Sequence, residues 1–149
     1  VLAGLLQPDS GIAPLAPQAR IGLVAQESPS RDERSTHTVY ESRLQDIRAQ
    51  DPGASTVSLR SLGLLSAAEL SKPVAELSMG QQRRLDIALA LAGRPHVLLL
   101  DEPTNHISIT LVEELTDAFG NTKAAIALVT HDRQLRRDLA GWPNLDLAL

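Results

Sequence analysis

The chain has 149 residues, enough for one domain by the usual prior of about 100–200 residues. Its hydrophobic fraction of 43% and charged fraction of 21% exclude wholesale disorder. The net charge of −4 offers no basic surface for DNA, and without cysteine there is neither a disulfide framework nor thiolate chemistry.

Aromatics are only 2% of the chain, so the core must be aliphatic and base-stacking platforms are not expected. No apolar run approaches the ~20 residues of a membrane span, and with the missing cysteines this fits the cytoplasm. Val1–Leu6 reads as the last turns of a helix, stopped by Gln7-Pro8-Asp9-Ser10-Gly11. Arg20–Ala25 reads as a strand and Glu27–His37 as a mobile polar loop. Thr38–Gln50 reads as a helix, because Tyr40 and Leu44, and Val39, Arg43 and Ile47, keep the i, i+4 spacing. Ser55–Leu65 is a weaker helix, Ser66–Leu70 a helical turn, and Pro73 opens a new segment.

Ser78 with Gln81 fits a capping box, and Leu85, Ala88, Leu89 and Ala92 give the following helix one apolar face, ended by Gly93 and Pro95. Val97–Leu100 reads as a strand buried on both faces and Ala124–Thr130 as another buried strand. Helices are expected at Ser108–Phe119 and Asp132–Ala140, and an edge strand at Leu145–Leu149. The second half is therefore βαβαβ, which implies α/β architecture on a parallel sheet. Residues 38–72 form a helical insertion outside that alternation.

Two stretches carry chemistry. The apolar strand Val97–Leu100 runs into Asp101 and Glu102. Ligands of parallel sheets bind at the carboxyl ends of the strands. Adjacent residues there point in different directions, so one carboxylate can hold Mg²⁺ while the other polarises a water. Read alone, the same acids could simply open a helix, whose N-terminus favours negative charge. Leu77-Ser78-Met79-Gly80-Gln81-Gln82-Arg83-Arg84 opens a helix with small and polar residues, as an anion site does, and as an ordinary N-cap does too.

Together these stretches resemble the nucleotide-binding domain of the ATP-binding cassette (ABC) family. Leu77–Gln81 is similar to its signature sequence L-S-G-G-Q, with Met79 replacing the first Gly. Val97–Asp101 resembles its Walker B strand, Glu102 its catalytic glutamate, Val129-Thr130-His131-Asp132 its switch histidine, and Gln26 its Q-loop glutamine. Asn105-His106 and Arg83-Arg84 resemble the ABC-F class, in which two cassettes share one chain and many members act on the ribosome.

The resemblance implies a P-loop NTPase-like sheet with a helical signature subdomain, and ATP and Mg²⁺ as ligands. It assigns 1–26 to the start of the core up to the Q-loop, 27–79 to a helical arm leading to the signature, and 80–149 to the signature helix, Walker B and switch-histidine core. It implies that Asp101, with Gln26, binds Mg²⁺, and that Glu102 is the general base or positions the attacking water. His131 would contact the γ-phosphate, and Ser78, Met79, Gly80 and Gln81 would cap the γ-phosphate of ATP held by a second cassette. The implied partners are that second cassette and the ribosome, or else a membrane permease docking on residues 38–72.

Two departures stand out. Ile107-Ser108 replaces the family's Leu-Asp, which removes an acid that couples the two sites. The pattern G-x-x-x-x-G-K-[ST] does not occur: the two lysines, Lys72 and Lys123, are followed by Pro73 and Ala124. Leu2–Gly11 looks like the stretch that follows that loop, so the chain is expected to begin just past it and to be inactive alone, the remaining alternative being an inactive fragment or a regulatory half-cassette.

Overall fold

The computed structural model describes residues 3, 4, 6–12, 14, 16–17, 19–26, 30–103 and 123–144. Three strands, β1 (Ile21–Val24), β2 (Val97–Asp101) and β3 (Ala125–Val129), form a parallel sheet in the order β1-β2-β3. Val24 pairs with Leu100, and Asp101 with Val129, so all three carboxyl ends open on one edge of the sheet.

Between β1 and β2 the chain builds α1 (Thr36–Gln50), α2 (Leu59–Leu62), α3 (Ala67–Leu70), a 3-10 turn (Val74–Glu76) and α4 (Met79–Leu91). After β3 comes α5 (Arg133–Asp138). The expected helix Ser108–Phe119, the strand Leu145–Leu149 and Ser108 itself lie outside the described residues.

The helix α1 starts two residues before its sequence pattern does. The Ser35 side chain accepts from the Thr38 N–H, satisfying a backbone donor that the helix leaves free. Thr36, Tyr40 and Leu44 are buried along one face, as the i, i+4 spacing requires. With Leu59, Leu65, Leu70, Val74, Leu77, Leu85, Ala88 and Ala92 the apolar members of that face form the larger core. A smaller core, Val24, Ile87, Leu98 and Leu100, lies between α4 and the sheet. The helix α4 thus serves both cores from two sides, and Gly22 marks its tightest approach to β1: a Cβ there would lie 2.7 Å from the Ala90 carbonyl oxygen.

Several expectations are corrected. Ala3, Gly4 and Leu6 are turn or bend, not helix, and Gly4 sits at φ 74. Residues 30–35 are tied rather than loose: the Val74 N–H donates to the Arg34 carbonyl and Ala75 N–H to that of Asp32. Asp32 also accepts from Arg34, whose hydrogen bonds hold its carboxyl below the usual range. The expected helix Ser55–Leu65 shrinks to Leu59–Leu62. The Val57 N–H donates to the Ala92 carbonyl and its own carbonyl accepts from Tyr40, while Gly63 at φ 68 stops the run.

The strand β3 is not buried: Ala125, Ala127 and Val129 are exposed, Val129 at 55%. On β2, Leu98 and Leu100 are buried while Val97 and Leu99 are half-buried. Among the described residues, α4, Leu64 and Trp142 pack on the Leu98 side.

Candidate functional site

Two strand ends meet at the carboxyl edge of the sheet. Asp101 closes β2 in register with Val129, and Glu102 follows at φ 46. That left-handed turn costs a residue other than glycine about 1–2 kcal/mol. It is held by two backbone bonds: the Glu102 N–H donates to the Val129 carbonyl at 2.9 Å, and the Glu102 carbonyl accepts from the Arg83 guanidinium at 3.0 Å.

The turn directs the Glu102 carboxyl toward the end of β3. Oε2 accepts from the His131 backbone N–H at 3.2 Å, with the Thr130 hydroxyl 3.5 Å away. Oε1 is buried without a hydrogen-bond partner, 3.7 Å from His131 Nε2. An unpartnered buried carboxylate oxygen is costly and is the atom an incoming polar group would satisfy.

His131 itself is 94% exposed. Its direction is set by the next residue: Asp132 caps α5, accepting from the Gln134 and Leu135 N–H groups, while its own N–H donates to Thr130 Oγ1. The edge therefore presents a buried base candidate and an exposed imidazole side by side.

Gln26 lies two residues past β1, exposed on the same edge, since β1 and β2 are paired up to Val24 and Leu100. The stretch after it is tied at Ser30, whose N–H donates to Gln82 Oε1. Among the described residues no three or more His, Cys, Asp or Glu form a ready metal cage. Mg²⁺ tolerates that: it is commonly held by one or two carboxylates with water and phosphate completing the shell. Asp101, at the end of β2, and Gln26, two residues past β1, bring oxygen donors of that kind to the same edge of the sheet.

The second predicted group stands at the start of α4. Ser78 and Gln81 form the expected capping box: Gln81 N–H donates to Ser78 Oγ and Ser78 N–H to Gln81 Oε1 at 2.9 Å. Ser78 and Met79 remain exposed. Gln81 Nε2 donates to Glu69 Oε1 at 2.6 Å, joining this box to a second one formed by Ser66 and Glu69 at α3. Burial pushes the Glu69 carboxyl up, but the hydrogen bonds from Ser66 and Gln81 and the nearby Arg84 charge outweigh it, so it titrates below the usual value.

One residue at this edge has no role in the sequence reading beyond class resemblance. Arg83 is 1% exposed and donates to four carbonyls: Ala25 at 2.6 Å, Asp101 at 2.8 Å, Glu102 at 3.0 Å and Pro103 at 3.3 Å. A signal existed: Arg83 stands four residues before Ile87, which is the sheet-facing residue of α4.

The family model described as ABC transporter matches residues 1–105. The chain belongs to the ABC transporter family. It is 40% identical over 141 residues to the tylosin resistance ATP-binding protein TlrC of Streptomyces fradiae, a match covering 95% of this chain and 25% of that protein. It is 27% identical over 176 aligned positions to the energy-dependent translational throttle protein EttA of Mycobacterium tuberculosis, covering 95% of this chain and 32% of that one. A relative from Arabidopsis thaliana carries the F-family name outright.

Among solved structures, the dimeric structure of MJ0796, a bacterial ABC transporter cassette, matches with a TM-score of 0.61 at 25% identity. That match covers 80% of this chain and 56% of MJ0796. The ABC fold expected from the sequence, a parallel P-loop NTPase-type sheet with a helical unit, is the one observed. This ABC chain spans a quarter to a third of the length of the two curated relatives described above. No helix among the described residues is long and apolar enough to cross a membrane.

Proposed function

We propose that this chain supplies the hydrolytic half of an ABC-F-type ATPase site, working in the cytoplasm of the cell. In this reading ATP is bound between two cassettes and its hydrolysis drives a conformational change on the ribosome. The observation that carries the reading is the turn at Glu102. A buried carboxylate with one free oxygen, beside an exposed histidine, terminates the strand that also bears Asp101.

Asp101 and Gln26 would hold Mg²⁺, which supplies charge neutralisation at the phosphates. Glu102, free at Oε1, takes the proton of the attacking water. His131, exposed on the same edge, reaches the terminal phosphate. Ser78, Met79, Gly80 and Gln81, held by the capping box, face the terminal phosphate of ATP carried by the opposite cassette. The F-family name of one relative supports the ABC-F class, and the name of EttA supports a role in translation. The segment 27–79 is the arm that sets this signature-like turn.

The test is Glu102→Gln in the full-length protein that contains this chain. Loss of a general base lowers turnover by about 10²-fold or more. ATP should remain bound, leaving the two cassettes closed on it. Wild-type turnover in that variant would remove Glu102 from the mechanism. Stable association with ribosomes in the trapped state is the expected partner readout, and association with a membrane fraction instead would favour a transporter subunit.

A further inference from the structure

The buried guanidinium of Arg83 has no part in the mechanism above, yet it holds the backbone beside Gln26 and at Asp101 and Glu102. Among the described residues it donates to the carbonyls of Ala25, next to Gln26, and of Asp101, Glu102 and Pro103. Three segments therefore share one side chain: the end of β1, the end of β2, and the body of α4, whose first turn bears Ser78 and Gly80.

A planar guanidinium presents several donors in a fixed fork, so contacts to carbonyls of successive residues define an orientation and not only a distance. The residue most in need of such a clamp is Glu102, whose φ of 46 is disfavoured for a side-chain-bearing residue. Local strain persists only where surrounding contacts over-determine it. Here those contacts are the Val129 carbonyl on one side and Arg83 on the other.

We propose that Arg83 is a positioning residue for Glu102: it fixes the turn that aims the carboxylate and makes that aim depend on where α4 sits. Because Ser78 and Gly80 ride on the same helix, a displacement of the first turn of α4 is passed to the Glu102 backbone through one side chain. This offers a link between the turn that faces the opposite cassette and the base of its own site, in a chain that has Ser108 where the family carries a coupling acid. The proposal rests on the assignment of Glu102 as the base.

The test uses the full-length protein with Arg83→Lys, Arg83→Met, Glu102→Gln and the double variant Arg83→Lys/Glu102→Gln. Lysine keeps the charge but cannot span four carbonyls, so it separates aim from charge. For Arg83→Lys, kcat is expected to fall by about 10²-fold while KM for ATP stays within about twofold, the signature of a misaimed group rather than a lost binding site. The double variant should be no slower than Glu102→Gln alone, since a carboxylate already removed cannot be misaimed.

If Arg83→Met fails to fold, the lysine series decides. A folded Arg83→Lys protein with wild-type kcat overturns the proposal. So do losses that multiply in the double variant. If Glu102→Gln turns over ATP as fast as the wild type, the proposed base fails and the positioning role fails with it. If Glu102→Gln is dead and Arg83→Lys is normal, only the positioning role fails.

Discussion

Replacing Gly22 with alanine tests how closely α4 and β1 must sit. The added Cβ would lie 2.7 Å from the Ala90 carbonyl oxygen, 3.0 Å from Leu98 Cδ1 and 3.2 Å from Pro95 Cγ. Ordinary carbon–oxygen contacts begin near ~3.3 Å, so the clash with Ala90 amounts to about 0.6 Å. The Leu98 methyl can rotate away, but the carbonyl belongs to the backbone of α4 and moves only with the helix. Overpacking of this kind costs about 1–3 kcal/mol. An opposing effect acts through the unfolded chain, which alanine stiffens by about 0.4–1 kcal/mol. Gly141→Ala measures that effect alone, because nothing lies within 4 Å of its added Cβ. Urea melts followed by circular dichroism should place Gly22→Ala about 1–3 kcal/mol below Gly141→Ala, with an unchanged m-value. Equal midpoints would mean that the helix is free to shift and that the packing between α4 and β1 is looser than the distances state.

Two further outcomes follow from the same structure. Burial, followed by the charge of Glu41, raises the Tyr40 phenol to about 12, and its hydroxyl donates to the Val57 carbonyl at 2.9 Å. Below pH ~10 the phenol is neutral in both states. Between ~10 and about 12 the unfolded chain ionises first, so stability should fall as pH rises through that window. Tyr40→Phe should lose about 1 kcal/mol at neutral pH and most of this alkaline slope, and an unchanged slope would place its origin elsewhere. The 149-residue chain alone should give no ATP turnover in a coupled phosphate-release assay, since the phosphate-loop pattern does not occur in it. Turnover that Glu102→Gln abolishes would refute this.

Legibility in the sequence followed the range of the interactions. Local signals held: the Ser78–Gln81 box forms as its spacing implies, and Ile21–Val24 and Val97–Asp101 are strands where the apolar runs stand. Distant partners decided the rest. Ser55–Leu65 has helical composition, but Val57 spends its N–H on Ala92 and its carbonyl on Tyr40, which no local pattern records. Gly93 reads as a helix stop, yet the left-handed residue there is Arg94, and Gly93 instead accommodates Ile47, whose Cδ1 would be 3.3 Å from an added Cβ. At the site, the apolar runs already place Asp101, Glu102 and His131 at or just past the ends of β2 and β3, whereas the left-handed turn of Glu102 depends on Val129 and Arg83, 27 and 19 residues away by number.

Helix α4 explains why its two arginines divide their work. Leu85, Ala88 and Ala92 face the helical core and Ile87 faces the sheet, so any arginine in the same first turns must pick a side. Arg83 shares the sheet side with Ile87 and ends among backbone carbonyls, to which its several N–H groups donate. Arg84 is turned toward the helical unit, where its charge lowers the Glu69 carboxyl, itself bonded to Gln81. The first two turns of α4 are thereby bound on one side to the seat of the base and on the other to the capping boxes that shape the Ser78 turn. Changing Arg84 should therefore disturb the Ser78 turn while leaving the Glu102 turn in place, and changing Arg83 should do the reverse.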